Sequence, residues 1–445
     1  MLQTPITIRE AATKIREGTL SPVDLVERCL QQIDRYEPEV RAWVLIDRDG
    51  AREDAKRLTV ERDRGHYRGP LHGIPIGVKD IFDVFDWPTA AGSKLWANCI
   101  ARQDCDVVAK LRQAGAILLG KTVTTAYASF DPPITRNPRH PSRTPGGSSS
   151  GSAAAVATGM CLGAVASQTG GSITRPASYC GVCAIKPTYG RSSLRGVVPL
   201  AESMDHPGFM ANGVEDLAIL LQAAADSDGR VVDGWVVPEP ADYITAVSKE
   251  ITFLEVGRFR GMFDNLMEPS MRAAFEAACA RLQQAGLNII DCPLPAAFGE
   301  IIARHQMVMA VESAMFHEPR FRKHPDDYPP RIRSLIEEGL STSPTEYART
   351  KKHQAELKST IVDSFIEGVV VAVTPATLGP APDAATTGLP TFNSPWSYVG
   401  LPTVNIPIRR DADGLPLAMQ LVGRPWEEAE LLQTAAWCEK ALRDG

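Results

Sequence analysis

Residues 144–174 read TPGGSSSGSAAAVATGMCLGAVASQTGGSIT, with seven glycines (146, 147, 151, 159, 163, 170 and 171) and no charged side chain. The run is long enough to span a bilayer. Its recurrent Gly, Ser and Thr, and the amide of Gln168, deny it the continuous apolar surface that a spanning helix needs. It reads instead as buried segments of a globular protein. Gly151 to Gly159 carries alanine at 153, 154, 155 and 157, a small-faced helix suited to lying close on a sheet. At each end a serine follows paired glycines: Gly146-Gly147-Ser148 and Gly170-Gly171-Ser172.

Outward from this run, apolar stretches at Ala42–Ile46, Ile74–Val78 and Ala116–Leu119 predict strands. Thr7–Arg16, the segment from Ser21-Pro22 to about Tyr36, and Asp106–Ala114 predict helices, with Ser21 as N-cap and Pro22 in the first turn. Alternating strand and helix is the pattern of an α/β protein. Helical patterns dominate at Ser270–Ala285, Phe298–Phe316 and Pro344–Phe365. Strands at Val369–Val373, Val404–Ile408 and Leu417–Leu421, then a helix from Glu427 to Leu442, close the chain. No repeat and no Gly/Ser/Pro linker divides the 445 residues, so one domain, 1–445, is expected. A mainly helical insertion at 230–365 is its variable part and the expected cover of a substrate pocket.

Apolar residues make up 44% and charged residues 22%, which fits a globular chain. With 47 basic against 53 acidic residues there is no field to neutralise phosphates, so neither a nucleic acid nor a membrane surface is an expected partner. Nothing bars a homo-oligomer. Met1 to Glu10 holds no apolar signal core, and nine scattered cysteines form no disulfide framework, so a cytoplasmic location is expected. Cys180 and Cys183 form one C-x-x-C without two further ligands, so no metal is expected. No cofactor is expected either.

Three pieces carry chemistry. Lys79 follows the apolar run Ile74–Val78, and burying an ammonium is costly unless it is paired or loses its proton. A neutral, desolvated lysine can take the proton of a serine that attacks a carbonyl. Gly170 and Gly171 before Ser172 let successive backbone N–H groups converge, as an oxyanion requires.

Together these segments resemble the amidase signature family: Gly146 to Ala157, Gln168 to Ala177, Tyr179-Cys180-Gly181, and Lys186-Pro187-Thr188-Tyr189-Gly190. The likeness extends to Gly73–Asp80, Asp205–Val214, Gly400-Leu401-Pro402 and Gly414-Leu415-Pro416. It implies a central mixed, twisted β-sheet covered by α-helices. It further implies a Ser-Ser-Lys triad with Ser172 as nucleophile, Ser148 as bridge after a cis peptide, and Lys79 as base. Thr169, Gly170, Gly171 and Ser172 would supply the oxyanion N–H groups, with Gly147, Ser149, Gln168 and Arg175 in support. Gln168 stands where the family usually has Asp, Arg175 sits one position late, and Ser150 replaces a glycine. Asn212 stands where arginine is frequent, and Ala126 where an acid is common.

Two rival readings are weaker and stand as alternatives. Gly147-Ser148-Ser149-Ser150-Gly151 satisfies G-x-S-x-G, but residues 137–145 contain three prolines and no apolar run, so no strand leads into a nucleophile elbow at Ser149. A glutaminase subunit of a tRNA-dependent amidotransferase would have an acid about ten residues before Gly400, where this chain has Pro390. The expected activity is hydrolysis of an amide, with carbamate or ester as accessible variants, in a small neutral or aryl substrate. Met307, Phe316, Phe392 and Trp396 are its expected pocket walls.

Overall fold

The computed structural model describes residues 5–226, 229, 231–232, 235–251 and 255–443. In chain order the strands are β1 (Trp43–Ile46), β2 (Pro75–Lys79), β3 (Ile117–Thr122), β4 (Gly163–Gln168), β5 (Cys183–Lys186), β6 (His206–Ala211), β7 (Val231–Val232), β8 (Trp235–Val236), β9 (Glu255–Phe259), β10 (Asn288–Cys292), β11 (Val371–Pro375), β12 (Thr403–Arg410) and β13 (Pro416–Gly423). Strands β7 and β8 form a separate ribbon, and the other eleven form one sheet in the order β1-β3-β2-β4-β6-β5-β12-β13-β11-β9-β10. The sheet is mixed: β2 runs parallel to β3 and β4, whereas β4–β6, β6–β5, β5–β12 and β12–β13 are antiparallel. Helices cover it, as the α/β reading anticipated.

Local chemistry explains the central elements. Every residue of β2, β3 and β4 is buried, as befits parallel strands with both faces covered. The helix Ser150–Ala157 is buried on all sides. At Gly151 an added Cβ would run into the backbone of Ala42 and Val123, so the small residues let this helix lie flush against its neighbours.

Several elements differ from expectation. Lys79 is the last residue of β2 rather than the first beyond it. A helix at Arg48–Asp63, too polar to announce itself by periodicity, buries only Ala51, Ala55 and Leu58. Strands β4 to β6 draw half of their residues from Gly, Ala, Ser and Pro, with Val165 and Ile185 their β-branched positions, so they lack the β-branched signature. The segment 230–365 is mainly helical, but it also sends β9 and β10 to the edge of the main sheet. Residues 230, 233–234 and 252–254 of that segment lie outside the described residues.

Candidate active site

Strands β2 and β4 are parallel neighbours, with Val78 opposite Val165, so Lys79 and Ser167 leave the sheet at the same end. Lys79 is fully buried, and its Nζ lies 2.7 Å from Ser148 Oγ and 2.8 Å from Ser167 Oγ. Among the described residues no carboxylate pairs with it, because the adjacent Asp80 pairs with Lys121 Nζ at 2.9 Å. Burial pulls the Lys79 amine well below its ordinary pKa, with the Asp205 charge opposing. The group therefore favours its neutral form, the one with a lone pair.

Ser148 heads the helix Ser150–Ala157, and the Gly147–Ser148 peptide is cis. Gly146 has φ +81°, and a Cβ there would come 2.7 Å from Pro176 Cα, so only glycine suits this approach. The buried Arg175 guanidinium donates to Gly147 O and to Gly388 O, both at 2.7 Å. Ser149 Oγ donates to Ser167 O at 3.2 Å and accepts from Ser167 N at 3.3 Å. That hydroxyl ties β4 to the helix start and is not free to act as an elbow nucleophile.

Beyond β4 the chain turns through Thr169–Ile173 into the helix Thr174–Cys180. Gln168 closes the loop: its Oε1 accepts from the N–H groups of Ile173 (2.9 Å) and Thr174 (3.0 Å), and its Nε2 donates to Ser397 Oγ at 3.1 Å. Ser397 Oγ in turn donates to Gly170 O at 3.1 Å, and Arg175 N donates to Gly171 O at 2.9 Å. His305 Nε2 lies 2.9 Å from Thr169 O. A trans peptide points C=O and the following N–H in opposite directions. Holding three successive carbonyls therefore fixes the directions of the N–H groups of Gly170, Gly171 and Ser172. Among the described residues, none of the four N–H groups from Thr169 to Ser172 donates to a protein acceptor. Ser172 keeps 6% exposure, whereas Ser148 and Lys79 keep none, so Ser172 is the hydroxyl a substrate can reach.

Asp205, behind this loop, accepts from Thr169 Oγ1 and from the N–H groups of Leu200 and Ala201. Burial raises its pKa to about 7 against those donors. Ser167, Asp205, His305 and Ser397 were not singled out in the sequence. They lie in unremarkable local contexts, and only Asp205 stands inside a motif.

The expected pocket walls need correction. Phe392 and Trp396 are fully buried, with Trp396 stacked on Phe263 (centroids 5.6 Å) and Phe259 (5.2 Å), and Phe392 against Phe263 (5.3 Å). They form core behind the loop, because the same segment must seat Pro390, Asn393 and Ser397 against Gly170 and Gly171. Met307 stands two residues from His305, on the opposite helix face, and its Sδ accepts from Thr350 Oγ1 at 3.1 Å. Phe316 shares the His305 face about three turns on, in an aromatic group with Trp96, His317 and Tyr127. The C-x-x-C sulfurs have separate partners: Cys180 donates to Pro145 O and Cys183 to Glu439 Oε1.

A buried amine, two serines and a cradle of unpaired N–H groups at one sheet end define an amide-hydrolysing α/β enzyme, and the chain's relatives agree. The Amidase family model matches residues 24–432, so the chain belongs to the amidase family. It is 33% identical to an amidase of Pseudomonas putida, covering 98% of this chain and 96% of that one. It is 32% identical to a glutamyl-tRNA(Gln) amidotransferase subunit of Chloroflexus aurantiacus, covering 96% and 95%. A solved structure described as a vestigial protein complex that reveals the origins of an s-triazine catabolic enzyme superposes with a TM-score of 0.90 at 30% identity, covering 99% and 98%.

Proposed function

We propose that the enzyme hydrolyses a small neutral or aryl amide through an acyl-enzyme on Ser172, with Ser148 as proton bridge and Lys79 as base. The observation that carries this reading is the Lys79 amine, buried with no carboxylate partner among the described residues and 2.7 Å from Ser148 Oγ. A neutral amine has two N–H groups and one lone pair, so it donates to Ser167 and accepts the proton of Ser148. Ser148 then accepts the Ser172 proton as Ser172 Oγ bonds to the carbonyl carbon. The oxyanion forms against the N–H groups of Thr169 to Ser172. On collapse Ser148 returns a proton to the departing nitrogen, and water repeats the cycle to release the acid. Gly147, Ser149, Gln168 and Arg175 hold the two serine loops in register. The segment 230–365 supplies the cover, with Phe316 on its inner face.

The test is a panel of aryl amides, aryl esters, carbamates and short aliphatic amides, with Ser172→Ala as control. Aryl amides are expected to turn over and the control to be silent. Turnover that survives in Ser172→Ala would sink the reading.

The likeness to the Chloroflexus chain favours a second reading as a glutaminase subunit. Against it, the place of the glutamine-holding acid is taken by Pro390, whose Cβ is 3.1 Å from where a Cβ on Gly171 would stand. Glutamine turnover dependent on an added partner subunit would reverse that preference.

The loop geometry makes a further prediction. A Cβ on Gly171 would come 2.7 Å from Asn393 Oδ1, so Gly171→Ala must displace the loop or the Asn393 side chain that packs on it. Losing one oxyanion donor costs about 10²–10³ in rate, and kcat is expected to fall by about that factor in a normally folded variant. A kcat within threefold of wild type would show that Gly171 N–H is not a donor.

A further inference from the structure

We infer that His305 is a positioning residue of the oxyanion hole, a histidine from the variable helical segment that sets the direction of the Gly170 N–H. The inference rests on the oxyanion reading above and extends it to a residue outside every catalytic motif.

The geometry is local and specific. His305 lies on the helix Ile301–Phe321 and is 3% exposed. Its Nε2 is 2.9 Å from Thr169 O, and its Cε1 is 3.4 Å from where a Cβ on Gly170 would stand. The ring therefore holds the carbonyl of the 169–170 peptide and packs on its glycine. Because that carbonyl and the Gly170 N–H belong to one planar unit, tilting one tilts the other. The remaining carbonyls have different keepers: Ser397 holds Gly170 O, and the helix N–H of Arg175 holds Gly171 O. Thr169 has a second anchor through its hydroxyl to Asp205, but that bond fixes the side chain and leaves the peptide free to rotate. His305 is thus the side chain with direct purchase on the first of the three peptides. Burial lowers its pKa to about 4, so at neutral pH the ring is uncharged and Nε2 must carry the single N–H to serve Thr169 O.

A glycine-rich loop has little intrinsic preference for one peptide orientation. Removing the donor lets the 169–170 unit swing, and the N–H it carries no longer meets the developing oxyanion. The loss falls on the transition state rather than on substrate binding.

The test uses an alkyl fluorophosphonate, which needs no knowledge of the natural substrate. Ser172 Oγ bonds to phosphorus, fluoride departs, the Ser172 proton passes to the Ser148–Lys79 relay, and the phosphonyl oxygen takes the oxyanion position. Wild type, Ser172→Ala, His305→Ala and His305→Gln are compared for the maximal labelling rate, the half-saturating probe concentration and the melting temperature. His305→Ala is expected to lower the maximal rate about 10- to 100-fold with the half-saturating concentration changed less than threefold. His305→Gln, which keeps an N–H donor, is expected to recover much of the rate. A wild-type maximal rate in His305→Ala, or an equal loss in the Ala and Gln variants, would overturn the positioning role. Labelling that persists in Ser172→Ala would instead overturn the underlying assignment of the nucleophile. Should His305→Ala fail to fold, the Gln variant decides: a folded Gln variant labelled more than tenfold more slowly than wild type also overturns the role.

Discussion

Ser172→Ala is expected to lower amide hydrolysis by about 10⁴-fold or more and to eliminate the acyl adduct on the loop peptide, with the fold intact. The size follows from the chemistry: removing a nucleophile from a hydrolase that works through an acyl-enzyme leaves only the catalysis supplied by binding and the oxyanion donors. The intact fold follows from the surroundings. The loop is held by Gln168, Ser397 and the Arg175 backbone, and none of those bonds uses the Ser172 hydroxyl. Rapid-quench mass spectrometry on an aryl ester, read together with thermal melting, checks both halves. Ser148→Ala provides a contrast, because it also takes a partner from the buried Lys79 amine and should cost stability as well as rate. A persistent adduct in Ser172→Ala would require another nucleophile, and Ser149, engaged twice with the Ser167 backbone, would be the first to examine.

Lys79→Met is expected to be inactive and yet more stable than wild type near neutral pH. Burial holds the folded amine well below its ordinary pKa, whereas the unfolded chain exposes a lysine that titrates near 10.4. Between the lowered folded value and the ordinary one, the unfolded state binds the extra proton. Wild-type stability therefore rises with pH across that window and is lowest beneath it. Methionine fills the same space without a proton to bind. The lost bonds to Ser148 and Ser167 take back part of the gain. Urea unfolding at pH 7 and pH 9.5 should show the advantage of the variant shrinking at the higher pH. An advantage independent of pH would mean that the Lys79 amine titrates alike in the folded and unfolded states. The same titration governs rate: activity is expected to rise as pH passes upward through the folded Lys79 pKa, because only the neutral amine can take the Ser148 proton.

The site was unevenly legible. Lys79, Ser148 and Ser172 could be named from motif chemistry, and Gln168 and Arg175 from their places in the same run. The roles of the last two needed the structure. Gln168 uses its carbonyl to collect two helix-entry N–H groups and its amide N–H to recruit Ser397, 229 positions away. A carboxylate could accept the first pair but could not make the second bond. His305 reaches Thr169 across 136 positions, and nothing in its own sequence neighbourhood marks it out. The aromatic residues misled for a related reason. Phe392 and Trp396 lie close in sequence to a recognisable motif, but large apolar side chains at such a place serve a core as readily as a pocket, and here Phe259, Phe263 and Phe298 already surround Trp396.

By itself the sequence determined the α/β class and the uncharged glycine-rich core, and it nominated Lys79, Ser148 and Ser172 for the site. Those properties depend on residue type and local spacing: small residues where backbones meet, a lysine at the end of a buried strand, and glycines before each serine. Only the tertiary structure decided that Lys121 takes Asp80 and therefore that Lys79 goes without a carboxylate among the described residues. It also decided which groups hold the carbonyls of Thr169, Gly170 and Gly171 and which aromatics are core. Each of these is a contact between segments far apart in the chain, and such a contact exists only once the sheet order has brought their ends to one edge.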